Sequence, residues 1–467
     1  MRGGPTLVVL VALIAGCAAA PGPSAGEPAG AHVLLCGPAC DVDADATEGA
    51  GAEPSISVDP RDPLHAVIGS FTYEFANGGE SPTRFWLHSH VTFDGGATWE
   101  SRPLPGGLEA GPAHPLASYS NAGDPAVVIL PGGKVLYAGV IASGVYPHLA
   151  RNDLFVARSD DGGLTYPRID IISRGAGLYS ALASNGPQNH IPFFARGADG
   201  TIMLAWVLTN APGMLEGPED QTVFERDLLF SLSRDDGETW SAPSIAARRF
   251  LFGPSPLISP DGSLHIAYYR FPGHSRCCGT GAQFPTDIFL TSSDDGGATW
   301  NDRPVAEGSA MSAPSLAIAP GGRLYLATVR AEEPEPAPST VPNHAVPLLL
   351  WSDDAGATWS EPLVLDVPPA PGNPLPRLAI DPASGVAYVV YYAPTDETQM
   401  EVRAVAFVDG ALRAPLTLTK ERIEPGAAQR DYLGLDATAD GVLAAWVGGR
   451  WPDTDIHVAR LHLAAPE

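Results

Sequence analysis

The chain has 467 residues, with 27 basic against 53 acidic side chains and a formal charge of −26. No Lys/Arg cluster interrupts that acidity, which excludes a nucleic-acid-binding face, because a phosphate backbone needs a basic surface. Beyond the N-terminal leader no apolar stretch is long enough to span a bilayer.

Residues 1–16 read as an export signal: Arg2 supplies the positive start, residues 7–15 the apolar run, and small residues lead up to Cys17. Ile14-Ala15-Gly16-Cys17 resembles a bacterial lipobox. That resemblance implies an exported protein lipidated at Cys17 and held to a membrane, at the cell surface or in the periplasm. An ordinary signal peptide with an incidental cysteine is the alternative. Residues 17–31 are rich in Ala, Pro, Gly and Ser and suit a flexible tether. Residues 32–467 then read as one large domain, opening with a short apolar run at 32–36. Asp41-Val42-Asp43-Ala44-Asp45 has calcium-loop spacing, yet Ala46 replaces the required Gly and Ala52 the bidentate Glu. A solvated acidic linker is expected there. Structural calcium at acidic turns is the one ion to consider; no other cofactor is implied and no metal site is assigned.

Seven strand–turn–strand units follow, at residues 54–70, 124–140, 191–206, 256–269, 314–329, 376–392 and 432–447. The first five are each followed by an eight-residue motif, Ser/Thr-x-Asp-x-Gly-x-Thr-aromatic. Its copies are centred on Asp94, Asp161, Asp235, Asp295 and Asp354, about 60 to 75 residues apart. Each copy joins two short β-like runs, so it reads as a hairpin turn in which the Asp accepts backbone hydrogen bonds and the Gly supplies a positive φ. Unit six is followed by residues 402–407 and a plain Asp409-Gly410 turn, unit seven by residues 455–463 alone. Two strands plus a hairpin make a four-stranded propeller blade. The last unit is one strand short, and the run at 32–36 is spare. The expectation is a single all-β propeller, seven-bladed, closed by that N-terminal strand in blade seven, which removes exposed sheet edges. A six-bladed ring with one peripheral unit is the alternative.

The eight-residue motif resembles the Asp box, or bacterial neuraminidase repeat, of sialidases and other β-propellers. The resemblance implies the propeller fold and a structural role for the five box aspartates. It covers the repeats and not the sialidase catalytic pattern. The family's early Phe-Arg-Ile-Pro motif is missing, since the first blade opens with Glu53-Pro54-Ser55, and Tyr166-Pro167-Arg168-Ile169 follows a box at the opposite end of the ring.

Propeller topology sorts the connections onto two faces. Turns between strands one and two, and the box turns, share one end. The long connections at 73–83, 141–152, 209–226, 271–286 and 331–343 gather at the other, which is where binding and catalysis usually sit. Residues starting the inner strands on that face are Glu53, Asp124, His190, Arg377, Arg430, Asp431 and Tyr432; those ending second strands are Arg270, Arg330 and Arg450. Asp124 and Asp431 are the candidate acid/base carboxylates and Tyr432 the candidate nucleophile. Glu53, His190 and the arginines are candidate ligand contacts, with guanidinium groups suited to a substrate carboxylate. Tyr432 has no evident glutamate partner beyond Glu53 or Glu332. Asp124 and Asp431 have a plainer alternative, bonding backbone N–H groups where a blade begins. His88 and His90 have the spacing of zinc ligands, but His88 aligns with Phe155, Leu229 and Phe289, which favours packing.

Four cysteines remain after Cys17. Cys36 and Cys40 are paired as a disulfide in an oxidising compartment. Cys277 and Cys278 are left as a vicinal disulfide, a free dithiol or partners of the first pair; with His274 they are too few for a metal site. The reading that follows is an anchored propeller binding a glycan or cell-envelope protein on its loop-rich face. The rival is an exo-acting, retaining glycosidase of sialidase type, and a structural role in an envelope assembly is the third class.

Overall fold

The computed structural model describes residues 33–464 except 46, 76–81, 108–109, 146–147, 176–177, 181–182, 185–186, 210–225, 249–250, 271–285, 310–311, 332–344, 397 and 425–431. Within them the apolar runs form strands, and no helix is present. The strands make seven antiparallel blades around one axis. Blade one is Ala50–Val58, Ala66–Phe75, Pro82–Thr92 and Glu100–Pro103, in that order from the axis outward. The inner strands of the next six are Asn121–Ile129, Gln188–Arg196, Leu251–Ile258, Ser315–Ile318, Arg377–Ile380 and Gly434–Ala437. Blade seven takes its outermost strand from the N-terminus: Val33–Asp43 pairs with Asp453–Ala464, Val33 opposite Ala464 and Asp43 opposite His457. The ring is therefore seven-bladed and closed as expected.

The second strand of blade three shows why continuous apolar runs form these sheets. In Ile202–Thr209, alternate residues point to opposite faces, and both faces are covered by a neighbouring blade. Ile202, Leu204 and Trp206 pack on Leu136, Ala138 and Val156 of blade two. Met203, Ala205 and Val207 pack on Ile258, Ile266 and Tyr268 of blade four. Burying one such large side chain contributes about 1.5–3 kcal/mol, and the interface recurs around the ring.

The five repeated turns sit between third and fourth strands. In each, one Asp oxygen accepts the Thr backbone N–H at 2.8–2.9 Å and the other accepts the Thr hydroxyl at 2.6 Å. The Ser/Thr oxygen that opens the motif accepts the N–H of the motif's Gly at 2.8–3.1 Å. That Gly lies at φ between 79° and 96°, where a side chain is strained.

Two details of the closing strand differ from expectation. It runs to Asp43 instead of ending at Cys36, with Cys36 and Cys40 disulfide-bonded inside it. Residues 41–45 are not a solvated linker: Asp41 meets His457 at 2.7 Å, and Asp45 is 5% exposed, 3.9 Å from His90. Alternation decides this, because a strand paired on one edge must turn some of its side chains toward the blade.

Candidate functional site

Inner strands start on the loop-rich face with a break in register, between Ala52 and Ser55, Gly123 and Ala126, His190 and Phe193, and Phe252 and Ser255. The residue before the proline in each break is left-handed: Glu53 at φ 55°, Asp124 at 52°, Ile191 at 48° and Gly253 at 65°. Because isoleucine and glycine occupy the same place as the acids, the bulge belongs to the architecture. The acids use it. Glu53 Oε2 accepts the Asp124 N–H at 3.2 Å, and Asp124 Oδ2 accepts the Ile191 N–H at 3.1 Å. Blades one, two and three are thereby clipped in series by two carboxylates.

One residue past the proline lies a ring of equivalent positions: Ser55, Ala126, Phe193, Ser255, Ser315, Arg377 and, in blade seven, Gly434. The serines clip blades in the same way. Ser55 Oγ accepts the Val127 N–H at 3.2 Å, Ser255 that of Leu316 at 2.9 Å, and Ser315 that of Leu378 at 3.0 Å. Two residues further in, Ser57 accepts the Ile129 N–H at 3.1 Å and Asp436 accepts the Val58 N–H at 2.8 Å. Long side chains in the first ring cross the axis. Phe193 of blade three stacks on Tyr432 of blade seven, ring centroids 6.0 Å apart, and lies 5.7 Å from the Arg377 guanidinium. Arg377 donates from Nε to the Leu433 carbonyl at 3.1 Å and from Nη1 to that of Ala313 at 3.3 Å. Arg377 and Tyr432 are thus brought together, both buried.

The other candidates do not join them. His190 faces Phe252, with ring centroids 6.5 Å apart, and burial, then the charge of Arg226, pulls its ring down to about 3, so it is neutral at pH 7. Arg270 is drawn onto its own blade by Asp302 at 2.5 Å and the Tyr268 hydroxyl at 2.6 Å, with its guanidinium 4.0 Å from the Phe289 ring. Arg450 pairs with Glu424 at 3.1 Å on the surface, and Arg330 is exposed at the end of its strand. Cys17, Cys277, Cys278, Arg430 and Asp431 lie outside the described residues, as do His274 and Glu332.

Two features were missed in the sequence. One is the pair of axial residues Phe193, standing where five other blades carry Ser, Ala or Gly, and Arg196, the one charged residue at a position that is Val, Ile or Ala in the other six. The other is an aromatic group on the loop-rich face where blades seven and one meet. Tyr73 lies 5.1 Å from Trp451 edge to face, Phe75 lies 5.6 Å from the same ring, and Phe85 lies 6.0 Å from Tyr73. All four are half-buried, Tyr73, Phe85 and Trp451 with one side against the core. Their spacing in sequence is local to blade one except for Trp451, which ring closure brings from the far end of the chain.

No family model matches the chain, and no curated protein does. Among solved structures it is similar to a Dyadobacter fermentans protein of unknown function, at 15% identity and a TM-score of 0.49 over 92% of this chain and 99% of that one. A Hadza microbial sialidase matches at 15% identity and TM-score 0.47, covering 93% and 92%. The α-L-arabinofuranosidase of Fusarium graminearum matches at 14% and 0.46, covering 79% and 97%.

Proposed function

We propose that this propeller is an exported, lipid-anchored binding protein whose loop-rich face takes a glycan, with Cys17 as the lipidated residue. The observation that carries the reading is the half-buried aromatic group Tyr73, Phe75, Phe85 and Trp451. The C–H faces of a sugar ring pack on such rings, and aromatic residues dominate binding energy where the bound ligand completes their desolvation. Binding is favoured over hydrolysis because, of the candidate catalytic groups within the described residues, Asp124 is engaged by a backbone N–H and Tyr432 is buried on the axis.

The test is a glycan array probed with the soluble chain starting at Ala31, beside a panel of fluorogenic exo-glycosides. Saturable binding to a glycan class, weakened about tenfold or more by Trp451→Ala and Tyr73→Ala, is the expected result. Turnover of a glycoside that Asp124→Asn or Tyr432→Phe abolishes would replace this reading with the exo-glycosidase of sialidase type. Binding untouched by the aromatic substitutions would move the site elsewhere.

A further inference from the structure

A cavity of about 500 Å³ runs along the axis beneath the Phe193–Arg377–Tyr432 crossing and is lined by the inner strands of all seven blades. It reaches Pro382, an exposed residue in the turn after the inner strand of blade six, so it opens toward the face carrying the repeated turns, away from the aromatic group. Its charged lining residues are Arg196, Arg377 and Asp436. In a chain of formal charge −26, the axis thus holds two guanidinium groups against one carboxylate.

The lining is also rich in donors. The oxygens of Ser55, Ser255 and Ser315 are taken as acceptors by the next blade's N–H, and their hydroxyl protons have no acceptor among the described residues. Arg196 spends Nη1 on the Ile129 carbonyl; its remaining N–H groups make no hydrogen bond among the described residues, and no ion pair joins it to Asp436. Asp436 is occupied by the N–H groups of Val58 and Ala437, both at 2.8 Å, and the Ser57 hydroxyl at 3.2 Å. Burial raises its carboxyl above the ordinary range, with Arg196 opposing the shift. Surplus donors around a space of this size call for a ligand made of acceptors.

We propose that the axial cavity binds a small monocarboxylate, entering from the face of the repeated turns, with its carboxylate on Arg196. Charge-assisted bonds from a guanidinium are the strong ones, and one free fork suits one carboxylate. The adjacent Asp436 and the apolar wall of Ala126, Val128, Leu257 and Ala317 disfavour a dianion such as phosphate. This site is separate from the glycan face and does not depend on it.

Calorimetric titration of the soluble chain with D-glycerate, propionate, glycerol and inorganic phosphate tests the proposal. Both carboxylates should bind saturably, while glycerol and phosphate give no saturable heat. Arg196→Gln should weaken glycerate about tenfold or more. Ala317→Leu, which narrows the cavity and removes no charge, should do the same if Arg196→Gln fails to fold. Trp451→Ala should leave glycerate binding unchanged, which separates this site from the glycan reading. Three results would each overturn the proposal: no heat from either carboxylate with protein that melts cooperatively, binding retained by the folded variants, or phosphate binding more tightly than glycerate.

Discussion

Asp124 shows what a single residue does here. A carboxylate on the functional face of a propeller invites a catalytic reading, but its oxygen accepts the Ile191 N–H at 3.1 Å, just as its own N–H is held by Glu53. If it is a clip, the acceptor oxygen matters and the charge does not. Asp124→Asn should then change unfolding free energy by less than about 0.5 kcal/mol, and Asp124→Ala should cost about 1 kcal/mol or more by leaving the half-buried Ile191 N–H without its acceptor. Urea denaturation measures both, and equal damage from the two would show that the charge itself is needed. The turn aspartates behave differently because their partners are local. Hydrogen bonds from the Thr hydroxyl, then the Thr N–H, hold Asp94, Asp295 and Asp354 down to about 2. Since these are lowered carboxylates, their contribution is complete above the unfolded value near pH 4 and is lost only as pH falls through about 2.

At the scale of the element, the closing strand Val33–Asp43 is held by ionisable groups of opposite trend. Burial pulls the His457 ring down, but the Asp41 carboxylate at 2.7 Å, with Asp43 and Asp455 nearby, leaves it above its ordinary value. Burial and the charges of Asp43 and Asp45 push Asp455 up to about 6. Both groups are raised, so the stability they confer is present at low pH and lost as pH rises through their folded values. Asp41 has the opposite sign: burial raises it, but His457 and the Lys420 N–H more than offset that, and its contribution is lost in acid. We expect amide protection of Val33–Asp43, corrected for intrinsic exchange rates, to fall as pH rises through about 6 and onward past the His457 transition. Asp455→Asn should remove the part lost between the unfolded value near 4 and about 6. Protection that is flat across that window would show that pairing alone holds the strand.

At the scale of the molecule, stability depends on closure. Each blade covers one face of the next, so an open ring would leave two blade faces and the edge of Asp453–Ala464 exposed. Deleting residues 33–43 should convert a cooperative thermal transition into a broad one and shift the protein to aggregates in size-exclusion chromatography. An unchanged, monomeric, cooperative melt would mean that blade seven is stable with three strands. Aggregation would be opposed by the acidic surface, which carries most of the formal charge of −26, and high salt should therefore make the deletion worse.

The repeats, the blade number and the closing strand were legible in the sequence because each is written in local terms: a turn motif with its own hydrogen bonds, and apolar runs of strand length. The turn at Ser293–Trp300 needs nothing beyond its own eight residues to define its Asp–Thr bonds. The loop-rich face followed from connectivity alone. What tertiary structure decided were the partners of residues that act between blades. Nothing in Gly123-Asp124-Pro125 says that the carboxylate is taken by Ile191, and nothing near Arg377 says that Phe193 reaches it from across the ring. Trp451 meets Tyr73 only because blade seven, from the far end of the chain, packs against blade one. Sequence periodicity specifies which face of a strand is apolar; which groups converge at the axis depends on seven blades' rotation around it, a long-range geometry that no single segment encodes.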